Sequence, residues 1–206
     1  MSLLAISVEQ LLSRFSSSDP TPGGGSASAL ASATGASLLV MVAGLQKTRN
    51  GSDDDRAALG AAAAALDDIR RQLTDAIDAD SAAYDQVVGA YKLPKTTTEE
   101  QAARKAAIQR ALRGATDVPL RVMQQSARAL EEATIVAAHG YASAGTDVGV
   151  AIALLTAGAT GAKLNVDVNL DAIADAAYRA EVAGQARDLL ETIGTIAERA
   201  ETLLRS

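Results

Sequence analysis

Cysteine and tryptophan are absent from the 206 residues, histidine occurs once, and aromatic side chains make up only 2% of the chain. Without thiols the protein cannot use disulfides, thiolate metal sites or a cysteine nucleophile, and nothing in it asks for an oxidising compartment; a reducing cytoplasm is the expected location. The lone His139 rules out a centre built from several histidines, so no metal site is expected, and a Ser-His-Asp triad would rest on this residue without a supporting signature. With so few aromatics the core has to be made of aliphatic side chains and alanine. Positive charge is also in short supply: 19 Lys and Arg against 25 Asp and Glu give a net charge of −6. That sign disfavours a general binder of nucleic acid or of an anionic membrane. The first 14 residues carry no basic stretch leading into an apolar run and do not read as a signal peptide. Two stretches, 26–45 and 149–164, look membrane-like, but they are rich in Ala, Gly, Ser and Thr rather than Leu and Phe. They are expected to be core helices whose small residues let backbones approach closely.

What is present reads as helix. Val8, Leu11, Leu12 and Phe15 share one face of a short amphipathic helix over 7–15. The run Ser16-Ser17-Ser18-Asp19-Pro20-Thr21-Pro22-Gly23-Gly24-Gly25 then forces a loop. Ser26 is placed to cap a second helix ending near Gln46. Residues 54–91 are almost unbroken Ala, Leu, Asp and Arg, which predicts one helix of roughly 55 Å. Pro94 ends it. Thr98-Glu99-Glu100-Gln101 offers a cap and a capping-box partner for a helix running toward Ala138, with a bend expected at Pro119. Helices over 143–163 and 170–204 complete the set, joined by 164–169, whose alternating polar and apolar residues fit an extended connection. No fixed-period repeat and no βαβ alternation occurs. The expected fold is therefore all-α: one domain over 1–206, an antiparallel multi-helix bundle with one long central helix.

The long helix carries the most informative pattern. Leu66, Ile69, Leu73, Ile77, Tyr84, Val87 and Tyr91 recur at steps of three or four apart from one gap, and Asp80 falls in that gap, three residues after Ile77 and four before Tyr84. Asp78 is about 200° away around the helix, so the two acids cannot both face inward. A carboxylate on a buried stripe is costly unless paired or protonated, and desolvation raises its pKa toward the range a general acid/base needs. The same position also suits an Asp bonded to a basic group or amide of a neighbouring helix, and the pattern does not separate the two readings.

Elsewhere the signals are local. Gly23, Gly24 and Gly25, with Ser26, open a helix whose backbone N–H groups could seat a carboxylate or phosphate, or form a plain turn. There is no Gly-Lys-Ser/Thr ending and no preceding strand, which argues against a nucleotide-binding loop. His139 sits before Gly140 as a cap contact, and Asp147 suits a first-turn acid. Asn165 and Asn169 are ordinary turn and cap residues in isolation.

In chain order, the motifs Pro20–Ser26, Asp78-Ala79-Asp80-Ser81-Ala82-Ala83-Tyr84, Lys92-Leu93-Pro94-Lys95, Val118-Pro119-Leu120, Asp147 and Gly161–Leu170 resemble the formiminotetrahydrofolate cyclodeaminase and methenyltetrahydrofolate cyclohydrolase family. Each motif is weak singly, and the ordered set is specific and spans nearly the whole chain. The resemblance implies a helical subunit that forms a homodimer and binds a reduced folate, with or without a polyglutamate tail, near the glycine turn. It puts the catalytic aspartate at Asp80 and implies substrate contacts at Gly23, Gly24, Gly25, Ser26, Tyr84, Lys92, Lys95, Asp147 and Asn165, the two lysines holding the glutamate tail. The implied activity is conversion of 5-formiminotetrahydrofolate to 5,10-methenyltetrahydrofolate with release of ammonia. The alternatives are cyclohydrolysis of the methenyl species to 10-formyltetrahydrofolate, or a non-catalytic folate-binding or helical interaction protein. Neither reaction calls for a cofactor, and a formiminotransferase partner would be a separate protein. The sequence departs from the family's usual pattern at Tyr141, where Asn is common, and at Gln46-Lys47-Thr48-Arg49, which lacks a Gly.

Overall fold

The computed structural model describes residues 2–205. Among them are six α-helices: α1 Val8–Phe15, α2 Gly24–Ala43, α3 Asp53–Tyr91, α4 Thr98–His139, α5 Gly145–Asp171 and α6 Ala176–Arg205. Single 3-10 turns lie at Leu3–Ala5 and Ala142–Ala144, and the only bridge among the described residues joins Thr48 to Gly140.

Local chemistry accounts for most of the boundaries. Ser7 caps α1 in a reciprocal box with Gln10, and Ser52 caps α3 ahead of Asp53, Asp54 and Asp55, acids that complement the positive end of the helix. The box opening α4 is Thr97 with Glu100, one residue upstream of the expected pair. At α2 the expectation fails in a useful way. The helix starts at Gly24 with Gly23 as its cap and no side-chain capping bond. Ser26 therefore lies inside the first turn, and its hydroxyl is used elsewhere.

A second correction concerns 164–169, which is helix rather than an extended connection. Ala159, Ala162, Val166 and Leu170 are buried at steps of three or four, and Lys163 reaches Asp167 one turn on at 2.6 Å, so the helical period overrides the apparent alternation. The turn into α6 falls at 172–175 instead.

The helices pack with successive long elements antiparallel. The start of α3 meets the end of α4, where the buried Asp55 carboxylate lies 2.8 Å from His139 Nδ1 and accepts the Asn50 N–H and the Thr48 hydroxyl. His139 is thus a tie between two helix ends. Its hydrogen bond, together with the backbone bond, holds Asp55 down to a pKa of about 2. The stripe expected on α3 holds in its first half, where Leu66, Ile69, Leu73 and Ile77 are buried in the same core as Met123 and Leu130 of α4 and Leu39 of α2; beyond Asp80 it opens to the surface, with Val87 half-buried and Tyr84 and Tyr91 exposed.

Helices α2 and α5 are held at short range by small residues. Gly158 lies over Ser28 and Ser32, Gly161 over the Ser28 hydroxyl, and Gly35 over Ala151 and Leu155. The Ser32 hydroxyl, buried in this seam, pairs with Ser126 of α4 at 2.8 Å. By length and composition both helices could cross a membrane, with mean hydropathies of 1.6 and 1.4; here they pack against each other in the bundle. Alanine usually stabilises a helix relative to glycine by roughly 0.5–1 kcal/mol. At Gly158 the added Cβ would stand 2.7 Å from Ser28 O and 3.0 Å from Ser32 N, both backbone atoms that cannot yield without separating the helices. Overpacking of this kind costs about 1–3 kcal/mol, so Gly158→Ala is expected to lower stability in chemical denaturation, the reverse of the propensity rule.

Candidate active site

The Asp80 carboxyl group rests on the first turn of α2. It fills the space where a Cβ of Gly25 would be, so that only glycine allows this approach. Its Oδ2 accepts from the Ser26 hydroxyl at 3.0 Å, and the Ser26 backbone N–H also favours the anion. Ile77 O, 2.9 Å from the same hydroxyl, is the alternative acceptor for its single proton, and the Ser81 hydroxyl lies 3.2 Å away. Desolvation by the surrounding helices raises the Asp80 pKa above its ordinary 3.8, and the Ser26 contacts pull the other way without cancelling it. No cation pairs with Asp80 among the described contacts, but the Ser26 N–H of α2 is an amide of a neighbouring helix, so the structural reading holds in that part. Asp78, on the other side of α3, accepts from the Ser2 hydroxyl and the Leu3 N–H and pins the N-terminal segment.

Asp80 opens into a pocket of about 340 Å³ between the glycine turn and α3, α4 and α5, within the range of small-molecule sites. Of the expected site residues, Gly23, Gly24, Gly25, Tyr84 and Asn165 line it together with Asp80. Asn165 is held by a bond from its Nδ2 to Gly161 O at 2.9 Å, one turn back. Ser26 lies behind the carboxylate and is buried, so its role is to hold Asp80 rather than to touch a ligand. Lys92 and Lys95 follow the end of α3 and are exposed. Lys92 stands twelve residues beyond Asp80, about 18 Å along the helix axis, clear of the pocket but in line with it. Asp147 does not join the site. It lies in the first turn of α5, eighteen residues or about 27 Å from Asn165, because α5 runs unbroken between the two.

The sequence did not reveal Val87, Ala115, Val168 and Asn169 as pocket residues. A signal existed for two of them: read as helix, Gly161, Asn165, Val168 and Asn169 fall on one face. Asn169 has a further task. Pro119 lacks an N–H, which leaves the carbonyl of Ala115 without its helical donor, and Asn169 Nδ2 supplies one at 2.9 Å across the helix interface. The proline is thus accommodated inside α4 by a side chain at the pocket wall.

The two family departures lie together at the other end of the bundle. Lys47 sits 5.3 Å from the Tyr141 ring centroid, and Arg49 donates to Ala137 O from its side chain and to His139 O from its backbone. Tyr141 and the Gln46–Arg49 stretch are thus neighbours, and α2, twenty residues or about 30 Å long, separates them from Asp80.

Fold and pocket define a helical protein with a half-buried aspartate opening into a pocket of small-molecule size. The family model described as formiminotransferase-cyclodeaminase matches residues 7–188, and the chain belongs to that family. It is 40% identical over 199 residues to a methenyltetrahydrofolate cyclohydrolase of Methylorubrum extorquens, covering 97% of this chain and 96% of that protein. It is 32% identical over 194 residues to the formimidoyltransferase-cyclodeaminase of Rattus norvegicus, covering 94% of this chain but only 36% of that longer protein. The crystal structure of formiminotetrahydrofolate cyclodeaminase from Thermotoga maritima has the same fold, with a TM-score of 0.87 at 24% identity over 99% of this chain and 98% of that one.

The packing of Asp80 on Gly25 gives a direct check. Gly25→Ala must displace the carboxyl group, since the added methyl would collide with it. The variant is expected to fold, to bind folate weakly and to lose most turnover, measured side by side by calorimetric titration and assay. Full activity would show that Asp80 does not need this seat.

Proposed function

We propose that this enzyme is a methenyltetrahydrofolate cyclohydrolase, with Asp80 as its general acid/base. What carries the reading is the 40% identity to a cyclohydrolase over nearly the full length of both chains, joined to a half-buried aspartate in the pocket. Cyclodeamination is the second reading, supported by the 32% identity to the rat enzyme across 94% of this chain.

In the proposed reaction the pterin end of the folate lies at Asp80 and Tyr84, and the tail runs along α3 toward Lys92 and Lys95. Asp80 takes a proton from water as the oxygen adds to the methenyl carbon. It returns that proton to N5 as the carbon–N5 bond breaks, and accepts the second water proton as the hydroxyl becomes the formyl carbonyl. The methenyl cation and water thereby give neutral 10-formyltetrahydrofolate and one released proton. In cyclodeamination the same group would move a proton from N10 to the departing nitrogen. An aspartate held above the ordinary carboxylate range fits this use, since it both accepts and gives up protons.

Purified protein is expected to bleach the near-ultraviolet band of 5,10-methenyltetrahydrofolate faster than buffer does. Formation of that band from 5-formiminotetrahydrofolate, with ammonia, would instead select the cyclodeaminase. Folate-dependent thermal protection without either reaction would select a binding protein.

Asp80→Asn is expected to keep fold and folate affinity while lowering turnover at least ~100-fold. The base must be ionised to start the cycle, so wild-type turnover should fall as pH drops through the raised Asp80 pKa, with a midpoint above 3.8. Unchanged turnover in Asp80→Asn would sink the assignment.

The homodimer belongs to the same proposal. The outward face of α2 and α5 carries Met41, Val150, Leu164 and Val168, the last two 66% and 63% exposed, an apolar surface suited to a second copy. Sedimentation should give twice the 21.0 kDa chain mass, and Leu164→Glu should shift it toward the monomer.

A further inference from the structure

Asp80 and Ser81 are neighbours on α3, about 100° apart around the helix, and they serve different cavities. Asp80 opens into the pocket described above. Ser81 lines a second cavity of about 410 Å³ on the far side of the Thr21-Pro22 loop, with Ser2, Arg14, Asp78 and Asp85. Thr21 borders both, so the loop is the partition between them. Behind that partition the buried Ser26 hydroxyl stands 3.0 Å from Asp80 Oδ2 and 3.2 Å from Ser81 Oγ. A serine hydroxyl both donates and accepts, so these three oxygens form an unbroken hydrogen-bonded path from one cavity to the other.

Cyclohydrolysis gives such a path a task. Each turnover leaves one proton on Asp80, and a folate filling the pocket stands between the carboxyl group and bulk water. Resting on the reading of Asp80 as the acid/base, we propose that Ser26 and Ser81 carry this proton from Asp80 to the second cavity while the folate is still bound. Ser26 Oγ accepts the proton of the Asp80 carboxyl as its own passes to Ser81 Oγ, and Ser81 gives its proton to water in the second cavity. Every O–H bond broken is matched by one formed, and no other reactant is needed. Asp78 and Asp85 on that cavity's wall supply negative charge to receive the proton. The Ser26 hydroxyl then turns back to Ile77 O, an acceptor 2.9 Å away that holds it between cycles. For cyclodeamination, which takes up a proton, the same path runs inward.

Ser26 and Ser81 are positioning residues here, since neither touches the folate. The test measures conversion of 5,10-methenyltetrahydrofolate in dilute bulky buffer, with and without imidazole as a small diffusible base. Ser81→Ala is expected to lower kcat about tenfold at unchanged KM, and imidazole to restore it, whereas the wild type ignores imidazole. Ser81→Thr, which keeps the hydroxyl, should hold kcat near the wild type. Thermal unfolding of each variant checks that the helix is intact. Wild-type kcat in Ser81→Ala would overturn the path, and so would a loss that imidazole does not relieve or that Ser81→Thr shares. If Asp80→Asn abolishes turnover while Ser81→Ala leaves it intact, the acid/base assignment stands and the path alone falls. No turnover of either folate by the wild type would remove both.

Discussion

The seat of one carboxylate on one glycine organises this protein. Asp80 projects from the last third of a 39-residue helix onto the first turn of α2, where the missing side chain of Gly25 leaves room for it. Three requirements meet there. Gly25 must carry no Cβ, α2 must begin ahead of Ser26 so that the serine is inside the turn, and α3 must cross at the height that brings both Ile77 O and Asp80 within hydrogen-bond reach of the Ser26 hydroxyl. Burial pushes the acid toward its neutral form, while a hydroxyl and a backbone N–H at a helix N-terminus favour the anion. The balance leaves a carboxyl group above its usual range without the fixed positive partner that would hold it ionised and inert.

The rest of the bundle keeps that seat in place. Small residues let α5 lie close against α2, which brings Asn165 beside Gly24 and carries Val168 and Asn169 to the pocket wall. The proline in α4 leaves Ala115 O unpaired within its own helix, and Asn169 takes it up, so α4 and α5 are joined by a bond that neither helix could make alone. At the opposite end, Asp55 and His139 clasp α3 to α4, and Lys47, Tyr141 and Arg49 form a cluster of their own. Tyr141 and the Gln46–Arg49 stretch belong to that far cluster.

Much of this was legible in the sequence because the physics involved is local. Proline and glycine runs break helices wherever they occur, caps act within four residues, and the 3.6-residue period identified the stripe on α3 and the anomaly at Asp80. The misreadings arose where two local signals competed. Alternation in 164–169 imitated a strand because Val166 and Val168 flank Asp167, although burial every third or fourth residue continues through the segment. Ser26 looked like a cap because serine is a good one, but a backbone that starts its helix at glycine left the hydroxyl free for Asp80.

By itself the sequence determined that the chain is helical, where most helices begin and end, which family it belongs to, and which acid is out of place on its face. The helices, their ends and the misplaced acid follow from residue type and spacing along one chain, and the family from the resemblance carried by the ordered motifs. Only the tertiary structure decided what that acid touches, that Asn169 answers Pro119, that Asp147 lies at the other end of α5, and that Asp80 and Ser81 open into cavities on opposite sides of one loop. Those are contacts between residues 50 or more apart in the chain, or distances across the bundle. They depend on how helices cross, which no periodicity within one helix can specify.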